Sequence, residues 1–474
     1  MNKEKPLVEA LIHFVKAAPV SLHVPGHKNG LVSGLPNLLK EALKYDVTEL
    51  TGLDDYHHPE EAIQEAQQLL TNIYKADRSF FLVNGSTVGN LAMIYATCQF
   101  GDTIIVQRNA HKSIFHAIEL IGANPVFVAP EWDVHTKTAG AVSTRTLKDA
   151  LERFPKAKAV ALTYPTYYGV ASNELQEQIT LCHGLNIPVL IDEAHGAHFI
   201  TSNNFPESAL NLGADVVVQS AHKTLPAMTM ASFLHVKSNL VDVARVNHYL
   251  RMLQSSSPSY LLMASLDDAR HYVATYKESD YVYLKEKREY FIEALKLIKG
   301  LEVIEVDDTL KLLLRVPGYT GFEMKVMLEA SGVFVELADR EQVLLVLPLL
   351  KQGVTYPFAN IKVRIKEAVT NLRKKAKGNN TLASLDFDGQ KVSMPSVNFQ
   401  GVQSAQKEWI PYTKGLGRIA AEMIIPYPPG VPLFVIGEKI TVAKLAYLAE
   451  LHSIGADFQG NHQLEQNLIC VIKQ

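Results

Sequence analysis

Two apolar runs, Ile187-Pro188-Val189-Leu190-Ile191 and Asp215-Val216-Val217-Val218-Gln219, each end in a residue that packing alone rarely places there. The first leads into Asp192-Glu193-Ala194-His195-Gly196 and the second into Ser220-Ala221-His222-Lys223. Short continuous apolar runs of this kind suit strands buried on both faces of a parallel sheet. In open α/β sheets the carboxyl ends of such strands are where ligands bind. A snorkelling lysine or a buried structural carboxylate would look the same in isolation. Together, a lysine that can form an imine and an acid that can keep a ring nitrogen protonated are what pyridoxal 5'-phosphate requires of a protein, so that cofactor is the expectation.

The segment from about Pro59 to Val236 alternates strand-like and helix-like stretches, as βα units around a parallel sheet do. Strands are expected at Ser79 to Val83, Thr103 to Gln107, Pro125 to Ala129, Ala157 to Thr163, Ile187 to Ile191, Asp215 to Gln219 and Met230 to His235. Helices are expected at Ile63 to Lys75, Val88 to Cys98, Lys112 to Gly122, Thr146 to Phe154, Asn173 to Gly184 and Pro206 to Leu212. A long helical region from about Ser265 to Lys299 precedes strand-like pieces at Lys311 to Val316 and Val343 to Leu347, which reads as a smaller α+β domain. Lys374-Lys375-Ala376-Lys377-Gly378-Asn379-Asn380 has linker composition. The expected division is an N-terminal arm and large domain over 1–264, a small α+β domain over 265–377 and a C-terminal α+β subdomain over 378–474.

With 47% hydrophobic and 20% charged residues among 474, the chain can bury a large core. A net charge of -3 gives no reason to expect a nucleic-acid surface or a polybasic membrane contact. Cys98, Cys182 and Cys470 have no CxxC spacing, which supports neither a disulfide framework nor a cysteine zinc site. A cytoplasmic protein without membrane association is expected.

Candidates for all four groups that pyridoxal phosphate needs fall at strand ends or helix starts. Val83-Asn84-Gly85-Ser86-Thr87 ends one strand and opens a helix, so Ser86, Thr87 and free amides can face a dianion, although a plain helix cap would look alike. His111, directly after another strand, can stack on the ring. Asp192 can partner the pyridine nitrogen, and Lys223 can attack a carbonyl once neutral, helped by burial and by positive charge such as His222.

With these residues in view, the chain resembles the group III Orn/Lys/Arg decarboxylases, fold-type I pyridoxal-phosphate enzymes, in their shorter form without a large N-terminal wing domain. The resemblance runs nearly end to end. It rests on His23-Val24-Pro25-Gly26-His27-Lys28, Leu53-Asp54-Asp55 with His57-His58-Pro59, His111-Lys112-Ser113, Tyr164-Pro165-Thr166-Tyr167-Tyr168-Gly169, the two strand-end strings above, and Pro426-Tyr427-Pro428-Pro429-Gly430-Val431-Pro432. It implies an aspartate aminotransferase-like large domain with a mostly parallel sheet. It also implies that Lys223 binds the cofactor covalently, Asp192 meets the pyridinium, His111 stacks on the ring, and Ser86, Thr87, Ser220 and His222 surround the phosphate. Thr166 would lie near the phenolic oxygen, His195 near the ring and substrate, and Ser255 to Ser257 would reach the phosphate across a homodimer interface. Ala221, where such shorter proteins often carry Val, and Asn84, where Gln or a similar residue is expected, depart from the pattern without touching the required chemistry.

The implied activity is decarboxylation of an amino acid, a basic one first, with His222 or Lys223 returning a proton to Cα, and a place in polyamine biosynthesis. A cationic side chain needs an acid at the far end of the pocket, for which Glu422 and then Asp54 are the candidates. An aromatic amino-acid decarboxylase, a homologue that has lost catalysis, and an aminotransferase using Arg364 to hold the α-carboxylate remain open. Asp192-Glu193-Ala194-His195 also spells a helicase motif, but no GxxxxGK followed by Ser or Thr accompanies it. A zinc site from His57, His58, His195 and His198 lacks any HExxH or HxH unit.

Overall fold

The computed structural model describes residues 4–376, 390–427, 430–460 and 463–473. It divides into two compact units, Met1–Thr97 with Pro188–Lys277 and Cys98–Ile187 with Glu278–Gln474. Seven strands come from the alternating region: β1 Arg78–Leu82, β2 Thr103–Gln107, β3 Asn124–Val128, β4 Ala159–Thr163, β5 Val189–Asp192, β6 Val216–Gln219 and β7 Ser232–Val236.

In the first unit β5 and β6 run parallel, with Asp192 opposite Val218, while β7 is antiparallel to both β6 and β1. Val189, Leu190, Ile191, Val216, Val217 and Val218 are all fully buried, which is why these strands read as unbroken apolar runs instead of alternating ones. The helix Gly85–Thr97 lies against this sheet at Gly89, where a Cβ would sit 2.8 Å from both Leu82 Cδ1 and Val218 Cγ1. Only glycine permits that approach.

In the second unit β2 pairs parallel with β3 and with β4. A separate antiparallel sheet is built from β8 Glu302–Glu305, β9 Lys311–Arg315, β10 Leu337–Ala338 and β11 Val343–Val346, in the order β8-β9-β11-β10. Beyond it, β12 Val392–Ser393 returns antiparallel to β3, and β13 Lys407–Pro411 pairs antiparallel with β14 Leu468–Ile472. Ile424, Phe434, Leu448 and Ile469 form a local core for this last part.

Three stretches differ from expectation. The helix expected from Val88 begins at Gly85, so Ser86 and Thr87 lie on its first turn. Pro206 to Ser208 is irregular and a turn begins at Ala209 in place of the expected helix, where Glu193 takes the Ala209 amide at 2.7 Å and the Ser208 hydroxyl at 3.1 Å. The long helical region is two helices, Tyr260–Ala274 and Glu278–Lys296. Of the expected linker, 377–380 lies outside the described residues, as do Pro428 and Pro429 of the proline-rich string. No helix among the described residues is long and apolar enough to cross a membrane.

Immediately after β2, Arg108 is buried and forks onto Glu438, Nε to Oε1 and Nη2 to Oε2 at 2.8 Å each. It also donates to the carbonyls of Pro432 at 2.7 Å and Leu433 at 3.0 Å, and Lys444 Nζ reaches Glu438 at 2.9 Å. Burial alone would raise the Glu438 carboxyl, but the two cations and their hydrogen bonds outweigh it and hold the carboxyl at about 2. A depressed carboxylate stabilises the fold above its unfolded value of 4.5, and that stabilisation disappears as pH falls toward about 2. Glu438→Ala strands a buried guanidinium and should cost about 3–5 kcal/mol, measured by denaturant unfolding at neutral pH. A loss near zero would show that the pair is compensated elsewhere.

Candidate active site

The carboxyl ends of β5 and β6 bring five of the expected residues together within the first unit. Lys223 sits in the one-turn helix Ala221–Thr224 that follows β6, and its Nζ lies 3.0 Å from His195 Nε2. Ser220, fully buried, donates to Ser86 Oγ at 2.9 Å. Asp192 is buried, accepts from the Ala194 amide at 3.2 Å and from Asn90 Nδ2 at 2.9 Å. Burial raises its carboxyl, and the Lys223 charge and these donors act against that.

Ser86 and Asn90 are four residues apart on one helix, hence on one face, which lets a single helix meet Ser220 at its first turn and Asp192 a turn later. Asn90 was not among the sequence candidates. The four-residue spacing from Ser86 was a usable signal for it.

His222 is held differently from Lys223. Its Nδ1 donates to the Ala231 carbonyl at 3.0 Å, and its backbone amide uses the same oxygen at 3.2 Å. Thr87 is exposed on the first turn of its helix. Ser255, Ser256 and Ser257 are exposed as well, and the Ser255 amide donates to Asn84 Oδ1 at 3.3 Å, which gives the unexpected Asn84 a concrete partner.

Glu193 follows Asp192 and, by strand alternation, points the opposite way. It accepts from Gln219 Nε2 at 2.5 Å besides Ser208 and Ala209, and Gln219 Oε1 receives His235 Nε2 at 3.1 Å. His235 stacks on Tyr74 with ring centroids 4.1 Å apart. Burial pushes the Glu193 carboxyl up to about 7 and the His235 imidazole down to about 3, so at neutrality this second acid stands close to half protonated.

The second unit carries the two remaining cofactor candidates. His111 is the N-cap of the helix Lys112–Ile121; its Nδ1 accepts from the Ser113 amide at 3.3 Å, which fixes the ring's rotation. A Cβ on Gly430 would come within 3.3 Å of that ring, and the Lys112 amide donates to the Gly430 carbonyl at 3.2 Å. Thr166 is buried in a tight turn, with Oγ1 accepting from the Val170 amide at 3.1 Å.

The two acids considered for a cationic side chain have other partners. Asp54 takes five backbone amides, those of Asp55, Glu60, Glu61, Ile63 and Gln64. That arrangement caps the helix Ala62–Tyr74 and orders the loop before it. Glu422 lies 3.8 Å from Lys407 Nζ. Arg364, considered for an aminotransferase, donates to Asn360 at 2.7 Å and to the Ser331 carbonyl at 3.3 Å on an exposed helix face. His198 lies edge-on to Phe199 and Phe205.

This is the fold of the solved lysine decarboxylases. The Francisella novicida lysine decarboxylase LdcF superposes over 99% of this chain and 81% of its own, with a TM-score of 0.79 at 19% identity. The constitutive lysine decarboxylase of E. coli gives the same TM-score, identity and coverage of this chain, with 82% of its own length covered. The Orn/Lys/Arg decarboxylase major domain matches residues 5–305 and the family's C-terminal domain matches residues 382–466, so the chain belongs to the Orn/Lys/Arg decarboxylase family and is an amino-acid decarboxylase. Among its relatives, the uncharacterized protein YaaO of Bacillus subtilis is 44% identical over 98% of each chain. An arginine decarboxylase of Halalkalibacterium halodurans is 33% identical over 100% of this chain and 98% of its own.

Because Glu193 takes up a proton on folding, stability should fall as pH rises from its unfolded value of 4.5 through about 7. Glu193→Gln, which keeps an acceptor oxygen and is always neutral, should flatten that slope in urea titrations between about pH 5 and about pH 8. An unchanged slope would locate the titration in another group.

Proposed function

We propose that this chain is a pyridoxal-phosphate-dependent decarboxylase of a basic amino acid, arginine first, releasing CO2 and the corresponding amine. The observation that carries the reading is that Lys223, 3.0 Å from His195, follows one of two adjacent parallel strands while the other ends in a buried Asp192 whose carboxyl feels the Lys223 charge. The arginine decarboxylase relative at 33% identity supports the choice of substrate. The donor set suits the cofactor, since Asp192 is a carboxylate whose burial cost a ring N–H⁺ would offset, and Ser86 and Ser220 form a hydroxyl pair at a helix start. When bound, pyridoxal phosphate supplies an electron sink for the pair left when the Cα–carboxylate bond breaks.

The chain's own residues have separable tasks. Lys223 holds the cofactor, and Asp192, oriented by Asn90 and the Ala194 amide, holds the ring nitrogen's proton. Ser86, Thr87, Ser220 and His222 meet the phosphate, and the family resemblance gives His111 and Thr166 the ring face and the phenolic oxygen. The proton that replaces the carboxylate at Cα comes from Lys223 Nζ, with His195 Nε2 at 3.0 Å able to relay it. His222, its Nδ1 tied to the Ala231 carbonyl, is held for its place beside the phosphate and not for proton transfer.

A homodimer is part of the reading. Val20, Leu22, Leu31, Val32 and Leu38 are each more than two-thirds exposed on the segment around His23-Val24-Pro25-Gly26-His27-Lys28, a row of apolar side chains that a second copy would cover. Light scattering should give twice the chain mass or a multiple of it, and a monomer would count against this.

Borohydride reduction of the loaded protein followed by peptide mass spectrometry should find the cofactor's mass on Lys223, and Lys223→Ala should lose both that adduct and turnover. An adduct on another lysine would overturn the assignment. Arginine should yield guanidinobutylamine and CO2 without a keto acid. Amino-group transfer that appears only with a keto acid would move the reading to an aminotransferase.

A further inference from the structure

The second unit carries a partly open cavity of about 450 Å³, within the range of small-molecule sites. Thr166 and Asn109 line it, as do the aromatic side chains of Trp132, Tyr168, Tyr427 and Tyr447. Its polar wall is Asp339-Arg340-Glu341, directly after β10.

The charges on that wall are not alike. Arg340 Nε lies 3.1 Å from Glu450, and Lys137 Nζ lies 2.9 Å from Glu341, so each of these cations faces a carboxylate. The partners described for Asp339 are neutral donors. Its Oδ1 accepts the amides of Glu341 at 2.7 Å and Gln342 at 2.9 Å, and Gln342 Nε2 lies 3.4 Å from Oδ2. The Tyr168 hydroxyl also bonds it. Burial holds the Tyr168 and Tyr447 hydroxyls well above their usual range, and the Asp339 charge adds to this, so both stay protonated as donors. Burial raises the Asp339 carboxyl itself, and its amide, hydroxyl and carboxamide donors act against that. The cavity therefore combines a buried carboxyl that a cation would help to keep ionised, without a described counter-cation, with aromatic walls, the combination that suits a planar or alkyl cation.

We propose that this cavity receives the cationic end of the substrate side chain, with Asp339 as its counter-charge and the aromatic walls as the surface against which the guanidinium or alkylammonium lies. The inference rests on the proposed function, in which Thr166, a residue of the same cavity, adjoins the cofactor. It also gives a reason for cation selectivity that neither Asp54, held by five amides, nor Glu422, beside Lys407, supplies.

Asp339→Asn is the direct test, because Asn keeps an acceptor for the Glu341 and Gln342 amides and removes the charge, giving up in addition the long 3.4 Å contact from Gln342 Nε2. Calorimetry of guanidinobutylamine binding to the loaded protein should show Kd rising about 10–100-fold, with KM for arginine rising alongside and kcat changing far less. Discrimination between arginine and its neutral isostere citrulline should collapse in parallel. Trp132→Leu, which leaves Asp339 in place, should also weaken binding of the amine. It serves as the second variant if Asp339→Asn loses its cofactor or its cooperative unfolding. Unchanged Kd and KM in a folded Asp339→Asn protein would overturn the proposal, as would unchanged binding in Trp132→Leu when that variant has to stand in. If the unaltered protein releases CO2 from none of arginine, lysine and ornithine, the functional reading fails on its own, and the calorimetric comparison still decides whether the cavity is a cation site.

Discussion

The buried fork of Arg108 onto Glu438 is the interaction on which the second unit's candidate residues depend. Arg108 stands three residues before His111, and its guanidinium reaches 330 residues along the chain to bind Glu438 and two carbonyls of the segment that follows Gly430. Gly430 in turn leaves room for the His111 ring, which a Cβ there would crowd, and takes the Lys112 amide. The strand-end loop and the C-terminal segment are thus fixed to one another by charge in a place water does not reach, where such a pair is strong if complete and costly if broken. Lys444 adds a second cation, so the carboxylate stays ionised at any ordinary pH.

Adjacent acids in the first unit show how burial alone does not determine a role. Asp192 and Glu193 are both sealed from solvent, yet one faces a lysine and the other faces amides, a hydroxyl and a carboxamide. The first is arranged to keep a charge when a cation is near. The second is arranged to tolerate a proton, and its bonds shape the turn at Ser208 and Ala209 that local sequence suggested would be helical.

Much of this could be read from the chain alone where the physics is local. β5 and β6 were legible because strands buried on both faces leave uninterrupted apolar runs, and the residues just past them announced Asp192 and Lys223. The start of the helix at Gly85 was misplaced by three residues, since Ser86 and Thr87 suit a cap as well as a first turn. Asn90 went unnoticed because an asparagine inside a helix has several ordinary explanations. Nothing local marks Arg108 and Glu438 as partners, and Asp339 follows a two-residue strand too short to have a pattern. Asp54 illustrates the opposite difficulty: the sequence shows an acid in a polar loop, while the folded backbone turns five amides toward it.

Gly89 has an effect beyond close packing. With Leu82 and Val218 pressed against its backbone, the helix Gly85–Thr97 has no room to slide or roll on the sheet. Ser86 and Asn90 are separated by about 6 Å of helix rise, and each is tied to a different strand end. The helix therefore works as a gauge block: a ligand touching both the hydroxyl pair and the Asp192 carboxylate must match a length set by the backbone, and no rotation of a single side chain can retune it.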